Sequence, residues 1–211
     1  IEIISGKENF PGGEVGQVRW EGIAVKKTTV RADTPQKASV QVCYESNVLS
    51  QPEVCVRPRS GSDGIIEGEC NVGKKTFSGG QGGPISVVSV TENVIKISDT
   101  ENKIKFIIEV DNVGGGDVID LDEVQDCKLS AEDKRFATVK IEASWLDGEL
   151  FECDRKGELI IRDSRKGTIS CTSNNVANDQ HYSLPLNIKM NYGYVKSINK
   201  GFTLKEDVFF S

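Results

Sequence analysis

The sequence predicts an all-β protein, two antiparallel β-sandwich domains stapled by disulfides. Apolar residues mostly alternate with polar ones, the signature of strands with one buried face. In the C-terminal part such runs recur at roughly 8–15-residue intervals, the spacing of a sandwich built from short strands. Six cysteines sit in an acidic chain of 211 residues, an even count that suits disulfide bonding in an oxidising compartment.

Ile1-Glu-Ile-Ile4 reads as a strand before the turn-rich Phe10-Pro-Gly-Gly13. Gln17–Val25, Lys37–Tyr44, Glu53–Val56 and Ile65–Cys70 follow as strands, and no helical periodicity interrupts them. Ser78-Gly-Gly-Gln-Gly-Gly-Pro84 favours a flexible connection over any regular element, which places a domain boundary there: 1–83 as an N-terminal β domain and 84–211 as a C-terminal β-sandwich. Ile85–Val90, Val94–Ile97 and Ile104–Val110 open the second domain. Ser130–Arg135 suits one helical turn, with Asp133 three residues after Ser130 as at a helix start. Val139, Ile141, Ala143 and Trp145 then share one face of a strand, and Leu186, Ile188 and Met190 share one face of another. Glu158–Ile161, Thr168–Cys171 and Tyr194–Ile198 complete the set, and Val208-Phe-Phe210 ends the chain as a strand after the charged Lys205-Glu-Asp207.

Cys43 and Cys55 lie in strand-like alternations separated by a turn with Asn47 and Pro52, and are expected to close a wide hairpin. Cys153 and Cys171 bracket two short strands and suit a second local closure. Cys70 and Cys127 remain, both in polar surroundings. Six cysteines allow 15 connectivities, so this pairing is a preference among several. Zinc is not expected, because Cys-x-x-Cys is absent and the single His181 is remote in sequence from every Cys. His181 in a polar turn reads as an exposed loop residue, not the partner of a catalytic thiol.

Lys plus Arg total 26 against 32 Asp plus Glu, a net charge of −6, which leaves no basic excess for nucleic acid. No apolar run approaches the roughly 20 residues that cross a bilayer as a helix, so no membrane-spanning segment is expected in the chain. Ile1–Phe10 carries two Glu and a Lys and does not read as a signal peptide, leaving a mature terminus or a removed anchor as the alternatives. Asn-x-Ser/Thr is absent, and N-glycosylation is not expected.

Lys103-Ile-Lys-Phe-Ile-Ile-Glu-Val-Asp-Asn-Val-Gly-Gly-Gly-Asp-Val118 resembles the strand-and-turn signature of CARDB-like immunoglobulin-fold domains of prokaryotic surface proteins, in which an alternating strand ends in Asn-x-Gly and a bend. Cys43-Tyr44, Val54-Cys55-Val56 and Leu184–Tyr194 look like segments of secreted or membrane-anchored, cysteine-bearing archaeal proteins. The resemblance implies immunoglobulin-like sandwiches and a cell-surface setting. It implies no chemistry. In physical terms, Gly114–Gly116 suit a bulge or left-handed backbone, and Asn112 can close the turn on its own backbone.

Asp111, Asp117, Asp120, Asp122, Glu123 and Asp126 form an acidic stretch without a basic residue. Asp117, Asp120 and Asp122 are candidate calcium ligands on a glycine-containing loop, although their spacing is not that of an EF-hand, and a solvated acidic loop is the alternative. No other cofactor is expected. No pair of carboxylates carries a glycosidase signature, and the chain reads as non-enzymatic. Trp145 continues an inward-facing row and reads as core, whereas Trp20 is ambiguous. Ile1, Ile3, Ile4, Val208, Phe209 and Phe210 are candidates for strand exchange, adding an extended terminus to an open sheet edge of another copy. Such contacts are heterologous and propagate when they do not close, which points to a filament or coat subunit whose partners are copies of itself. The rival expectation is a monomeric adhesion module presenting loops such as Asn174–His181.

Overall fold

The computed structural model describes residues 33–56, 70, 72–78, 82–98, 100–127, 136–163, 165–174, 176–177 and 182–205. The expected strands Ile1–Ile4, Gln17–Val25 and Val208–Phe210, the expected helical turn Ser130–Arg135, and the residues Trp20 and His181 lie outside them.

The described chain is almost entirely strand. In order it forms β1 (Thr34–Ser50), β2 (Glu53–Val56), β3 (Lys74–Thr76), β4 (Ile85–Lys96), β5 (Glu101–Asn112), β6 (Asp117–Ile119), the single-turn helix α1 (Glu123–Asp126), β7 (Phe136–Ser144), β8 (Glu152–Cys153), β9 (Glu158–Arg162), β10 (Lys166–Thr172), β11 (Val176–Ala177), β12 (Tyr182–Pro185) and β13 (Asn187–Leu204). One sheet runs β1-β13-β7-β9, with β6 also on β13. A second runs β3-β4-β5-β10-β8, with β11 also on β5. The pair β12-β2 makes a third.

Chain contacts gather Cys43–Val195 into one unit and Ile1–Val42 with Lys196–Ser211 into another, a division that does not follow the Gly-rich segment at residue 83. The end of that segment is closely packed. A methyl group on Gly83 would lie 2.2 Å from Val48 Cγ2, and the Pro84 carbonyl accepts from Val113 N at 2.8 Å, so the end of the segment is built into its surroundings.

Within Cys43–Val195 the period-two pattern becomes a core. Ile104, Phe106, Ile108 and Val110 of β5, Ala137, Val139, Ile141 and Ala143 of β7, and Ile188 and Met190 of β13 are all buried in one hydrophobic cluster, joined by Val54 and Val56 of β2. Each fully buried side chain of this size stabilises by about 1.5–3 kcal/mol relative to exposure. Trp145, just past β7, is partly buried against the cluster. Its ring lies edge-on to Phe106 and Phe151, with centroids 5.6 and 4.8 Å away. Ile85–Val90 and Val94–Ile97, read as two strands, are one continuous β4 whose register against β5 shifts between Val87 and Ser89.

All six cysteines are paired, as Cys43–Cys127, Cys55–Cys70 and Cys153–Cys171. The expected Cys43–Cys55 and Cys70–Cys127 pairs are corrected. Those two expectations required β1 and β2 to form a hairpin, but β2 pairs with β12 and β1 with β13, so Cys43 and Cys55 belong to different sheets. Cys153–Cys171 forms as expected by a different route. Cys153 of β8 lies directly opposite Cys171 of β10, while β9, which intervenes in sequence, pairs with β7 in the other sheet.

Candidate functional site: an exposed ribbon and two buried polar clusters

The described part of the smaller unit, 33–42 with 196–205, is a ribbon of the N-terminal half of β1 and the C-terminal half of β13. Gln41 Nε2 donates to Ser197 Oγ at 3.4 Å, and Lys205 Nζ pairs with Asp33 Oδ2 at 2.6 Å. Gln41 and Ser197 therefore share a face, and alternation sends Val40, Val42, Lys196, Ile198, Lys200 and Phe202 to the opposite one. Ile198 is 61 % exposed, Phe202 42 % and Val42 37 %. The lysines Lys37, Lys196, Lys200 and Lys205 stand against Asp33 alone, so this segment is basic in an acidic chain.

Inside the larger unit, the Asn-x-Gly segment that ends β5 is clamped by a tyrosine. Gly116 N donates to Tyr194 Oη at 2.8 Å, and Tyr194 Oη donates to Asn112 Oδ1 at 2.9 Å. Asn112 also accepts from Gly114 N at 3.1 Å and donates through Nδ2 to the Gly116 carbonyl at 2.8 Å. A methyl group on Gly116 would sit 2.3 Å from the Val195 carbonyl oxygen, and one on Gly114 would sit 2.4 Å from Pro84 Cβ. Close approach thus dictates glycine at both positions, while Gly115 takes the left-handed backbone with φ 65°. Tyr192 adds a second clamp, accepting from Ile85 N at 3.1 Å and from Ser46 Oγ at 3.2 Å. Burial holds the Tyr44, Tyr192 and Tyr194 hydroxyls above the ordinary tyrosine pKa. The Tyr192 and Tyr194 hydroxyls serve as hydrogen-bonding groups in a largely apolar setting, and the Tyr44 ring lies 5.7 Å from that of Tyr194.

The second cluster surrounds Glu92 of β4, which is only 3 % exposed. Its Oε1 accepts from Cys55 N at 2.9 Å and faces Lys75 Nζ at 3.7 Å, while Oε2 is buried without a hydrogen-bond partner. Burial raises its pKa, and the Cys55 amide and Lys75 oppose that shift. Lys75 also donates to the Glu53 carbonyl at 3.3 Å, so the cluster ties β2 and the Cys55–Cys70 bridge to β3 and β4. Half-buried Glu109 shifts in the opposite direction, its pKa lowered by hydrogen bonds from Ser89 and Lys74.

The acidic stretch is dispersed. Asp117 opens β6, Asp120 Oδ1 accepts from Thr138 N at 2.7 Å at the edge of β7, and Asp122 stands at the N-cap of α1. Among the described residues no three His, Cys, Asp or Glu side chains group to hold a metal ion, so Asp117, Asp120 and Asp122 are not brought together as calcium ligands. Asp111 instead pairs with Lys166 at 3.5 Å. A shallow cleft beside the Cys153–Cys171 bridge is lined by Asp154, Arg155, Glu158, Thr168 and Ile169. The strand-exchange candidates Ile1, Ile3, Ile4, Val208, Phe209 and Phe210 lie outside the described residues. The strand expectations Lys37–Tyr44 and Tyr194–Ile198 fell on the ribbon without joining its halves. Continuous alternation through Val40-Gln-Val-Cys-Tyr44 and Tyr192-Gly-Tyr-Val-Lys196 was the available signal.

No family model, curated protein or solved structure matches the chain.

Proposed function

We propose that the chain is a non-enzymatic extracellular structural protein, the subunit of a cell-surface filament or coat whose copies associate by β-strand exchange. The observation that carries this reading is the ribbon, whose two strands leave Ile198, Phe202 and Val42 exposed on one face. An apolar strand face exposed in this way gains stability when covered, and a further copy can supply the cover by adding a strand. Three disulfides support a subunit that matures in an oxidising environment. No helix among the described residues is long and apolar enough to cross a membrane. Two immunoglobulin-like sandwiches are the arrangement that goes with this reading, and the Asn112–Gly116 turn after β5 supports the likeness to CARDB-like surface domains.

Light scattering coupled to size exclusion, followed by negative-stain imaging, tests the proposal. High-mass polymers are expected, shortened or lost when Ile1–Phe10 is deleted. A discrete monomer at every concentration defeats it and favours the second reading, a cell-surface adhesion or ligand-binding module. The cleft lined by Asp154, Arg155, Glu158 and Thr168 is the observation in favour of that module.

A further inference from the structure

Half of β10 has an open side. At the two ends of its pairing with β5, Asn112 N donates to the Arg165 carbonyl at 3.0 Å and Ser173 N donates to the Ile104 carbonyl at 2.9 Å. Only alternate residues of an antiparallel pair bond the facing strand, so the odd-numbered residues of β10 turn their N–H and C=O groups to β5, and Lys166 and Thr168 turn theirs away. On that far side β8 pairs with Cys171 and Thr172 alone. Among the described residues no strand lies beside Lys166 and Thr168, and the cleft that Thr168 and Ile169 line gives an extended chain room there. The Lys166 ammonium already pairs with Asp111, so what this edge offers is main chain. Its neighbours set the pattern of any added strand: exposed Lys166 and Thr168 alternate with half-buried Gly167 and buried Ile169. A strand that continues the sheet must alternate in the same way, polar beside the first pair and apolar beside the second. Ile1-Glu-Ile3 does so, whereas Val208-Phe-Phe210 puts apolar residues on both faces.

We infer that the open edge of β10 at Lys166 to Thr168 receives Ile1–Ile4 of a second copy of this chain, paired main chain to main chain. The inference rests on the filament reading and names its acceptor edge and its donor. The two are different parts of one molecule, so the contact is head-to-tail and propagates wherever the rotation between copies does not close. Hydrogen bonds to the Lys166 and Thr168 backbone hold the donor, and its alternating side chains fix the register.

The test uses the full chain with Thr168→Pro and Thr168→Ala, each checked for native folding by circular dichroism. Proline removes the outward N–H and blocks the edge, while the bonds to β5, made by the odd-numbered residues, stay in place. Alanine alters the side chain alone. Sedimentation velocity is expected to show association weakened about tenfold or more by T168P and unchanged by T168A. A second measurement does not depend on T168P folding. Thr168 is replaced by the photo-crosslinker benzoylphenylalanine, and isotopically labelled and unlabelled chains are mixed before irradiation. Mass spectrometry is expected to find position 168 of one copy joined to residues 1–10 of the other. Assembly indifferent to T168P, an equal loss with T168A, or cross-links that reach other segments or stay within one copy overturn the β10 assignment and leave the filament reading standing. A wild-type chain that stays monomeric at every concentration overturns both.

Discussion

At the scale of single residues, the buried polar groups explain themselves through their partners. Tyr194 satisfies the Gly116 amide and the Asn112 side chain together. Tyr194→Phe strips the hydroxyl from both and is expected to cost about 1–3 kcal/mol, the usual penalty for a buried donor left unpaired. Gly116→Ala forces a methyl group against the Val195 carbonyl and is expected to cost about 1–3 kcal/mol by overpacking. Chemical denaturation with an unchanged m-value checks both substitutions. Glu92 gives a pH signature. Its folded pKa lies above the ordinary value, so the folded state binds the proton more tightly than the unfolded chain. Its contribution is fully present below the unfolded pKa of about 4.5 and is lost as pH rises through the raised folded value. Glu92→Gln keeps an oxygen acceptor for the Cys55 amide and abolishes the titration. The difference in melting temperature between wild type and E92Q should therefore change across that window, and parallel curves would show that Glu92 does not titrate there.

At the scale of elements, alternation gave the strands but not their partners. Leu186, Ile188 and Met190 are buried as their spacing implies, because period two decides a face locally. Which strands pair is decided by contacts between distant segments. β1 meets β13 across most of the chain, and no local residue pattern encodes that meeting. The same limit explains the cysteines. Cys153 and Cys171 are legible because they bracket two short strands, Cys43 and Cys127 are hidden by a separation of 84 residues, and Cys55–Cys70, only 15 apart, is hidden by the expected hairpin that assigns Cys55 to Cys43. The Tyr194 clamp on the Asn112–Gly116 turn was legible on the turn side alone, since the tyrosine arrives from a distant strand. The corrected connectivity orders the disulfides by loop length. In the chain-entropy account, removing Cys43–Cys127 by paired serine substitution costs about 4–5 kcal/mol, and removing Cys55–Cys70 about 3 kcal/mol. Denaturant midpoints for the two variants check the order, and a larger loss for the shorter loop would contradict the entropic account.

At the scale of the whole molecule, charge is unevenly shared. The chain carries a net −6, yet 33–42 with 196–205 is basic, so the remainder is more acidic than the total suggests. One geometric detail reaches further. Lys205 and Asp33 pair through their side chains, so the two strand ends that bound the residues between them lie near one another. Splicing 33–205 into a surface loop of an unrelated host needs no long tethers, because the graft's two joints are already neighbours.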